Sequence, residues 1–277
     1  MTDRQKRMIA GLALGVLISL FIHLGTRREG TVLTNLLDRY EYQSYDARMR
    51  ARSGNAEEAS IDDVVIIDIE QNSVVTLGNY HQWPHAYHGQ LIDVVSSGNP
   101  KALIFDIIFD PKTSDTYNLV ESLSWNQANS LPEVKTAADQ FLVSHDPGRF
   151  IWSTSQSAVT HHALVFEAED SLNFLYAMDA VPPGYDAAKH TIKVSSETAN
   201  QLPEAARLGN TYLELLNNTA GAGSANFPLD EDGIIRRAPT AVHFKGSGEV
   251  FLSLTLSAVK DILGIATDGF DYDFDEG

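Results

Sequence analysis

The sequence contains no cysteine, and this absence removes several classes of site at once. Disulfide bridges, thiolate nucleophiles and cysteine-ligated zinc sites are all excluded. A domain without disulfides has to be stabilised by its apolar core, and 277 residues are enough to build one. The compartment in which the protein works must therefore be inferred from features other than cysteine usage.

Basic residues are scarce as well, because 20 Lys and Arg stand against 37 Asp and Glu and the net charge is −17. A surface of this sign repels phosphate backbones and anionic headgroups, so we expect no nucleic-acid partner. The sequence also lacks a Gly-x-Ser-x-Gly elbow, a P-loop and a His-Glu-x-x-His motif. It therefore predicts neither an enzyme nor a bound cofactor.

One long uncharged stretch, residues 8–26, is the most informative feature that is present. As a helix it would measure roughly 28 Å, close to the hydrocarbon thickness of a bilayer. Three basic residues precede it and two follow it, which favours a cytoplasmic N-terminus. We predict a cytoplasmic segment over 1–7, a transmembrane helix over 8–26 in the inner (plasma) membrane, and an extracytoplasmic main domain.

Two other interpretations of this stretch stay open. It is about as long as a long signal-peptide core, although no small-x-small pair stands where cleavage would be expected. It could instead be a buried helix of a soluble domain, an interpretation that is less favoured because the stretch has no polar face.

The rest of the chain divides into three predicted parts. A juxtamembrane helix is predicted over 27–52, where Leu and Tyr recur at helical spacing, and Ser53-Gly54-Asn55 interrupts it. The main domain is predicted over 53–267. An acidic tail, or the point at which a longer protein is truncated, follows over 268–277.

The main domain has the pattern of a mixed α/β fold. Val64–Ile69 and Ala102–Phe109 are continuous apolar runs typical of buried strands, and His85–Ser97 between them is typical of a helix. Strand, helix, strand at these lengths predicts a parallel pair with a right-handed crossover. We therefore expect a mixed, largely parallel sheet with flanking helices.

Other elements are predicted with the same reasoning. These are a helix over Glu133–Leu142, strands over Phe150–Ser155, Ala163–Phe166 and Ala238–Phe244, a helix near Glu204, and a helix within Glu249–Leu263.

Four carboxylates follow the first two predicted strands. Asp68 and Asp106 fall near the carboxyl ends of the strands, and Glu70 and Asp110 lie just beyond. Ligands of open α/β sheets bind at that edge, and carboxylate oxygens there could hold a divalent cation or orient a polar ligand. Such acids also cap helices and turns, so the identity of any metal stays unknown.

A small histidine cluster lies between the same two strands. His81, His85 and His88 surround Trp83, and His85 and His88 would share one face of a helix. Two imidazoles and a carboxylate could bind a metal ion, although histidines at a helix start often only bind backbone.

Three other motifs are weaker. His161 and His162 are neighbours on a predicted strand and should point to opposite faces. Gly221–Asn226 lacks the last glycine of a dinucleotide fingerprint. Asp271–Gly277 looks like the start of a calcium loop, but its glycine is one position late.

The run Val64–Glu70 also approximates the start of a haloacid-dehalogenase-type phosphatase. In those enzymes a nucleophilic Asp follows a strand, and here Asp68 would take that place. Glu70 stands where the second Asp is expected, so a metal-dependent phosphohydrolase is only an alternative function.

Taken together, four segments resemble the CHASE2 domain, an extracytoplasmic sensory module of bacterial signalling proteins. They occur in the order of that family, and they are Tyr45–Arg50, Val64–Glu70 with Leu77-Gly78, Trp83-Pro84 with Ile104–Phe109, and Asp230–Arg237. One departure is His85, since the family usually has Arg after Trp-Pro, which implies a different ligand or pH-dependent binding.

The resemblance implies a membrane-anchored sensor that relays ligand state to a cytoplasmic effector absent from this chain. We expect an unidentified small-molecule or ionic ligand, contact with the lipid bilayer through residues 8–26, and a homodimer. The predicted pocket lies at the Asp68 and Asp106 edge, with Trp83 and His85 at its rim and Arg236 or Arg237 as anion anchors. A structural envelope protein that binds only protein partners is the third alternative.

Overall fold

The computed structural model describes residues 3–26, 32–55, 63–109, 119–122, 132–167, 179–209, 212–230, 232–268 and 270. The chain divides into two compact units, Met1–Asp68 and Ile69–Gly277. Asp110, predicted as a ligand residue, and the Asp271–Gly277 motif lie outside the described residues.

The first unit contains two long helices that contact each other, α1 (Asp3–Thr26) and α2 (Val32–Asn55). Helix α2 occupies most of the segment that was predicted as helical after the uncharged stretch. Within the described residues, no helix has the length and apolar character that crossing a membrane requires, so the span predicted over 8–26 is not supported there.

The prediction of a buried strand over Val64–Ile69 is wrong. The chain there has no assigned secondary structure and belongs to neither sheet, and Val65 and Ile66 are 82% and 86% exposed. The expected parallel pair between this run and Ala102–Phe109 is therefore absent from the described residues. A run of β-branched residues specifies an extended backbone, but pairing depends on a partner edge that lies elsewhere in the chain.

The described residues of the second unit form eight strands, a helical turn over 119–122, two 3-10 turns at Tyr80–Gln82 and Ala187–Lys189, and the helices named next. The helices are α3 (Gln71–Leu77), α4 (His85–Ser96), α5 (Pro132–His145), α6 (Gly148–Gln156), α7 (Ser196–Ala199), α8 (Leu213–Asn218) and α9 (Leu254–Leu263). The strands are β1 (Leu103–Phe105), β2 (Thr160–Glu167), β3 (Thr191–Ile192), β4 (Glu204–Ala205), β5 (Arg207–Gly209), β6 (Gly221–Ser224), β7 (Ala241–Phe244) and β8 (Glu249–Leu252).

The first sheet is built around β2, which is the longest strand and is buried along nearly its whole length. Its first half pairs in parallel with β1 and with β6, and its second half pairs antiparallel with β5. The parallel centre and flanking helices of the predicted mixed α/β fold are confirmed. The parallel partner of β1 is β2, however, and not the run before α3.

The second sheet has the order β3-β8-β7-β4 and is mostly antiparallel. Strands β7 and β8 form a hairpin, β3 adds to the outer edge of β8, and β4 pairs in parallel with β7. One isolated bridge between Ser224 and Ser253 connects the end of β6 to the chain just before α9. The main apolar core lies where side chains of β2, β5 and β6 meet those of β7 and β8.

A second apolar core includes Leu103 and Phe105 of β1, and α4 and α6 pack together over it. The two helices approach closely because Gly89 has no side chain: a Cβ there would lie 2.9 Å from the carbonyl oxygen of Arg149. An exposed ion pair between Asp93 and Arg149 also joins them. This second core is the part of the domain that positions the candidate site.

Two local predictions are wrong in this unit. Residues Phe150–Ser155 form helix α6 and not a strand, because Phe150, Ser153 and Thr154 are buried at helical spacing while Trp152 between them is exposed. The chain near Glu204 forms strand β4 and not a helix. The helices predicted at His85 and Glu133 and the strands at Ala163 and Ala238 are present as α4, α5, β2 and β7.

Candidate functional site

The second core brings histidine and aromatic rings from five parts of the chain into one group. We call this group the histidine–aromatic cluster. Helix α4 contributes two histidines, β1 and the chain after it contribute two phenylalanines, and α6, β2 and the residue before α8 contribute one ring each. The members are His85, His88, Phe105, Phe109, Phe150, His162 and Tyr212.

The chain entering α4 is held in place by Trp83. Its indole N–H donates to the carbonyl oxygen of Gly78 at 2.9 Å, and its ring lies edge-on to Tyr80 at 5.3 Å. Pro84 follows in an extended conformation suited to the residue before a helix. These contacts fix the position at which α4 begins, and with it the positions of His85 and His88.

His162 lies at the centre of the cluster and is almost completely buried. Its ring stacks on Phe105 with centroids 5.0 Å apart and an interplanar angle of 13°, and Phe150 meets it edge-on at 5.5 Å. Neither ring nitrogen has a hydrogen-bond partner among the described residues. Burial, and then the neighbouring histidines, lower the pKa of His162 to about 3, so the ring is neutral at physiological pH.

His88 is buried one helical turn from the entry of α4. Its ring lies 4.8 Å from Phe109 and 5.7 Å from Phe150, in edge-on or tilted orientations. Burial, followed by the charge of His85, lowers its pKa to about 4. His88 is therefore also neutral at physiological pH.

His85 is half-buried at the rim of the cluster, where solvent reaches the site. Its ring lies 5.8 Å from Phe109 and 5.7 Å from both Phe150 and Tyr212. Burial and nearby acids raise the pKa of Tyr212 to about 12. The rim thus offers flat ring surfaces with imidazole and phenol groups, which suit a ligand held by stacking and a few hydrogen bonds.

His161 points to the opposite face of β2 from His162, as expected for neighbours on a strand. Its Nε2 lies 2.9 Å from Oδ2 of Asp261 on α9, and its Nδ1 lies 3.0 Å from the carbonyl oxygen of Val159. Burial raises the pKa of Asp261, but hydrogen bonds from His161 and Lys260 outweigh this effect and the pKa is lowered. This pair attaches the last helix to the first sheet.

The two arginines predicted as anion anchors lie at a turn that contains two aspartates. Arg236 contacts Asp230 at 3.0 Å and Asp232 at 2.8 Å, and its own side chain is only 3% exposed. The hydrogen bond from Arg236 lowers the pKa of Asp232. Arg237 is exposed and lies 3.6 Å from Asp230. The Asp-x-Asp-Gly and Arg-Arg residues of this motif therefore bind one another.

This geometry predicts different costs for the two arginines. Arg236→Gln should lower the free energy of unfolding by about 1–3 kcal/mol, because the half-buried Asp230 loses its main partner. Urea unfolding of the full chain measures the change. Arg237→Gln is the matched control and should shift stability by no more than about 0.5 kcal/mol, as surface pairs do. Equal costs for the two variants would contradict a structural role for Arg236.

The predicted carboxylate site is not assembled as a metal site in the part of the chain that the structure describes. Asp68, Glu70 and Asp106 are all exposed, and Asp68 belongs to the first unit. No group of three His, Asp or Glu side chains among the described residues is suited to one metal ion. The predicted histidine site of His81, His85 and His88 is therefore not assembled either. The phosphohydrolase alternative requires a strand that ends at Asp68, and no strand precedes Asp68 among the described residues.

The sequence identified Trp83 and His85 correctly as neighbours of one helix entry, but it missed the residues behind them. Phe150 was assigned to a strand, and His162 was set aside as half of a weak pair. A usable signal for His162 was its position inside an apolar strand run, where a buried histidine needs a partner or a neutral ring. Tyr212 offered no comparable signal.

A comparison with protein families supplies what geometry alone does not. The model of the CHASE2 domain matches residues 15–271 of this sequence. The chain belongs to the CHASE2 domain family. The resemblance deduced from four short segments is thereby confirmed, and the match covers both units described above. No curated protein and no solved structure matches the chain.

Membership of the CHASE2 family decides the broad class of function. CHASE2 domains are extracytoplasmic sensory domains of signal-transduction proteins and are not catalytic. In this CHASE2 domain, the family's Trp-Pro segment leads directly into the histidine–aromatic cluster. The Asp-x-Asp-Gly segment forms the turn that Arg236 closes.

Proposed function

We propose that this CHASE2 domain senses a small ligand outside the cytoplasm, is anchored in the plasma membrane by residues 8–26, and reports to a cytoplasmic effector outside this chain. The observation that carries the proposal is the family match over residues 15–271, since members of the family are sensory. The anchor is supported by the sequence, in which 8–26 carries no charged side chain and basic residues flank it.

The rim of the histidine–aromatic cluster is the proposed ligand site. Trp83 and His85 lie there half-buried, next to Tyr212, and Asp106 follows β1 at the carboxyl edge of the sheet. Ligands of parallel sheets bind at this edge, and the rings supply stacking surface. Glu70 and Asp110 stay ligand candidates, and Asp68, which belongs to the first unit, stays one on the sequence alone. Arg236 and Arg237 are weaker candidates because aspartates already contact them.

We also propose that the sensor acts as a homodimer. A ligand can shift only an equilibrium between two arrangements that it binds with different affinity. Two copies side by side provide such arrangements, because a small change in each domain becomes a change in the distance between the two α2 helices. Helix α2, which runs over Val32–Asn55, is the proposed relay.

A reporter fusion tests the anchor and the side of the membrane. Alkaline phosphatase fused after Gly54 should be active, because that enzyme folds only outside the cytoplasm, and a cytosolic fluorescent reporter at the same position should be dark. Replacing Leu12 and Leu17 with Arg should abolish phosphatase activity, since charges at the centre of a span oppose insertion. Activity of the cytosolic reporter alone would overturn the proposed location.

A melting-temperature screen tests the ligand site. A compound that binds the folded domain raises its melting temperature, and a panel of small acids, amines, aromatic metabolites and divalent ions covers the expected chemistry. We expect a hit whose shift is lost in His85→Ala and kept in His81→Gln, an exposed neighbour outside the cluster. A compound whose shift is unchanged in His85→Ala would show that the ligand binds elsewhere on the domain. Failure of the whole panel would favour a structural protein that binds only partners.

A further inference from the structure

His88 and His162 are buried in the same apolar core, and no carboxylate among the described residues forms an ion pair with either ring. After burial, the groups that lower the pKa of His162 are His161, His88 and His190, and the group that lowers the pKa of His88 is His85. The aromatic rings that contact the two histidines are Phe105, Phe109, Phe150 and Tyr80. A proton on either ring would therefore be placed among aromatic rings and other histidines, with no ion-pair partner among the described residues.

His161, the residue beside His162, has a different environment in the same strand. Its two nitrogens face the Asp261 carboxylate and the Val159 carbonyl oxygen. A protonated ring can donate to both acceptors. His162 lacks any such acceptor among the described residues, since both of its nitrogens are buried and unpartnered.

We propose that His88 and His162 form an acid-sensing pair, and that protonation of this pair opens the packing of α4 and α6 over the first sheet. A charged imidazole in an apolar core is costly unless it is paired, so water has to enter or the helices have to separate. Each protonated histidine also repels the other. The charged groups of the two helices do not reduce this cost, because Asp93 and Arg149 already neutralise each other in an exposed ion pair.

The direction of the response follows from linkage. Both histidines have a lower pKa in the folded chain than the ordinary value of 6.5. The unfolded or opened state therefore binds more protons, and stability is complete above about pH 7 and falls as the pH falls through 6.5. Between pH 7.5 and 5.5, each histidine should raise the unfolding equilibrium constant about tenfold. This response is a property of the domain core and needs neither the ligand nor the membrane anchor proposed above.

The test compares the full chain with His162→Phe in mild detergent at low protein concentration. Phenylalanine keeps the ring on Phe105 and removes the two unpartnered nitrogens, so it should fold at pH 7.5. Urea unfolding at pH 7.5 and 5.5 gives the ratio of unfolding constants, and the variant ratio should be about tenfold smaller than that of the unmodified chain. His88→Phe is a second variant with the same expectation, should His162→Phe fail to fold.

His81→Gln is the control, because His81 is exposed and lies outside the cluster. It should keep the full pH dependence. Hydrogen exchange at pH 5.5, corrected for intrinsic rates, should rise in α4 and α6 more than in β7 and β8. The proposal is overturned if His162→Phe and His88→Phe both keep the unmodified pH dependence, or if exchange rises equally in all elements.

Discussion

Replacing Phe150 with alanine is expected to lower the free energy of unfolding by about 3–5 kcal/mol, the usual cost of emptying a large buried aromatic site. Phe150 has no exposed surface, and its ring contacts Phe109 at 4.7 Å and His162 at 5.5 Å. The cavity cannot collapse easily, because α4 is already held against α6 by backbone contact at Gly89. Urea or thermal unfolding of the purified full chain measures the loss.

Trp152→Ala is the matched control for this prediction. Trp152 lies on the same helix and is 53% exposed, with the Arg149 guanidinium 5.0 Å from its ring centroid. Its removal should cost about 1 kcal/mol or less, as surface substitutions do. Equal destabilisation by Trp152→Ala and Phe150→Ala would mean that the opposite face of α6 packs on the core. The histidine–aromatic cluster as described would then be contradicted.

A methyl group at Gly223 is expected to destabilise the domain by about 3 kcal/mol or more, because overpacking against backbone cannot be relieved by a rotamer change. A Cβ at this position would lie 2.6 Å from the Cα of Leu254 and 2.7 Å from its amide nitrogen. Gly223 lies in β6, and Leu254 begins α9. Gly223→Ala should therefore separate α9 from the first sheet, and the fall in melting temperature measures the effect.

Gly148→Ala tests whether the effect is specific to the β6–α9 contact. A Cβ at Gly148 would lie 3.0 Å from a carboxylate oxygen of Asp146, the movable end of an exposed side chain. This variant should stay within about 0.5 kcal/mol of the unmodified chain. A neutral Gly223→Ala beside it would mean that α9 does not pack on β6 as described.

Local patterns predicted those elements whose cause is local. Helix α4 was predicted within one residue, because its apolar spacing and the Gly98-Asn99-Pro100 stop both lie within the segment. The strand at Leu103 was found by its apolar run, although it is shorter than predicted. Helix α6 was missed because its buried face carries Ser153 and Thr154, which a hydropathy pattern does not count as core.

The candidate site was harder to predict, because it depends on contacts between distant parts of the chain. Trp83 and His85 were found from a short motif, but Tyr212 contacts His85 from the start of α8, and His162 joins the cluster through Phe150 from β2. The prediction for Arg236 and Arg237 assumed that both cations were available to bind an anionic ligand. The chain brings Asp230 and Asp232 to them within one turn, a local pairing that the same motif already contained.

The exposed run Val64–Ile67 affects how the protein behaves in solution. Four branched aliphatic side chains in a row face water there, which is typical of segments that associate between molecules as strands. Asp63 and Asp68 flank the run and supply the like charge that keeps copies apart. That protection weakens as the net charge approaches zero near the sequence pI of about 4.8, so colloidal association sets the lower pH limit for handling the protein.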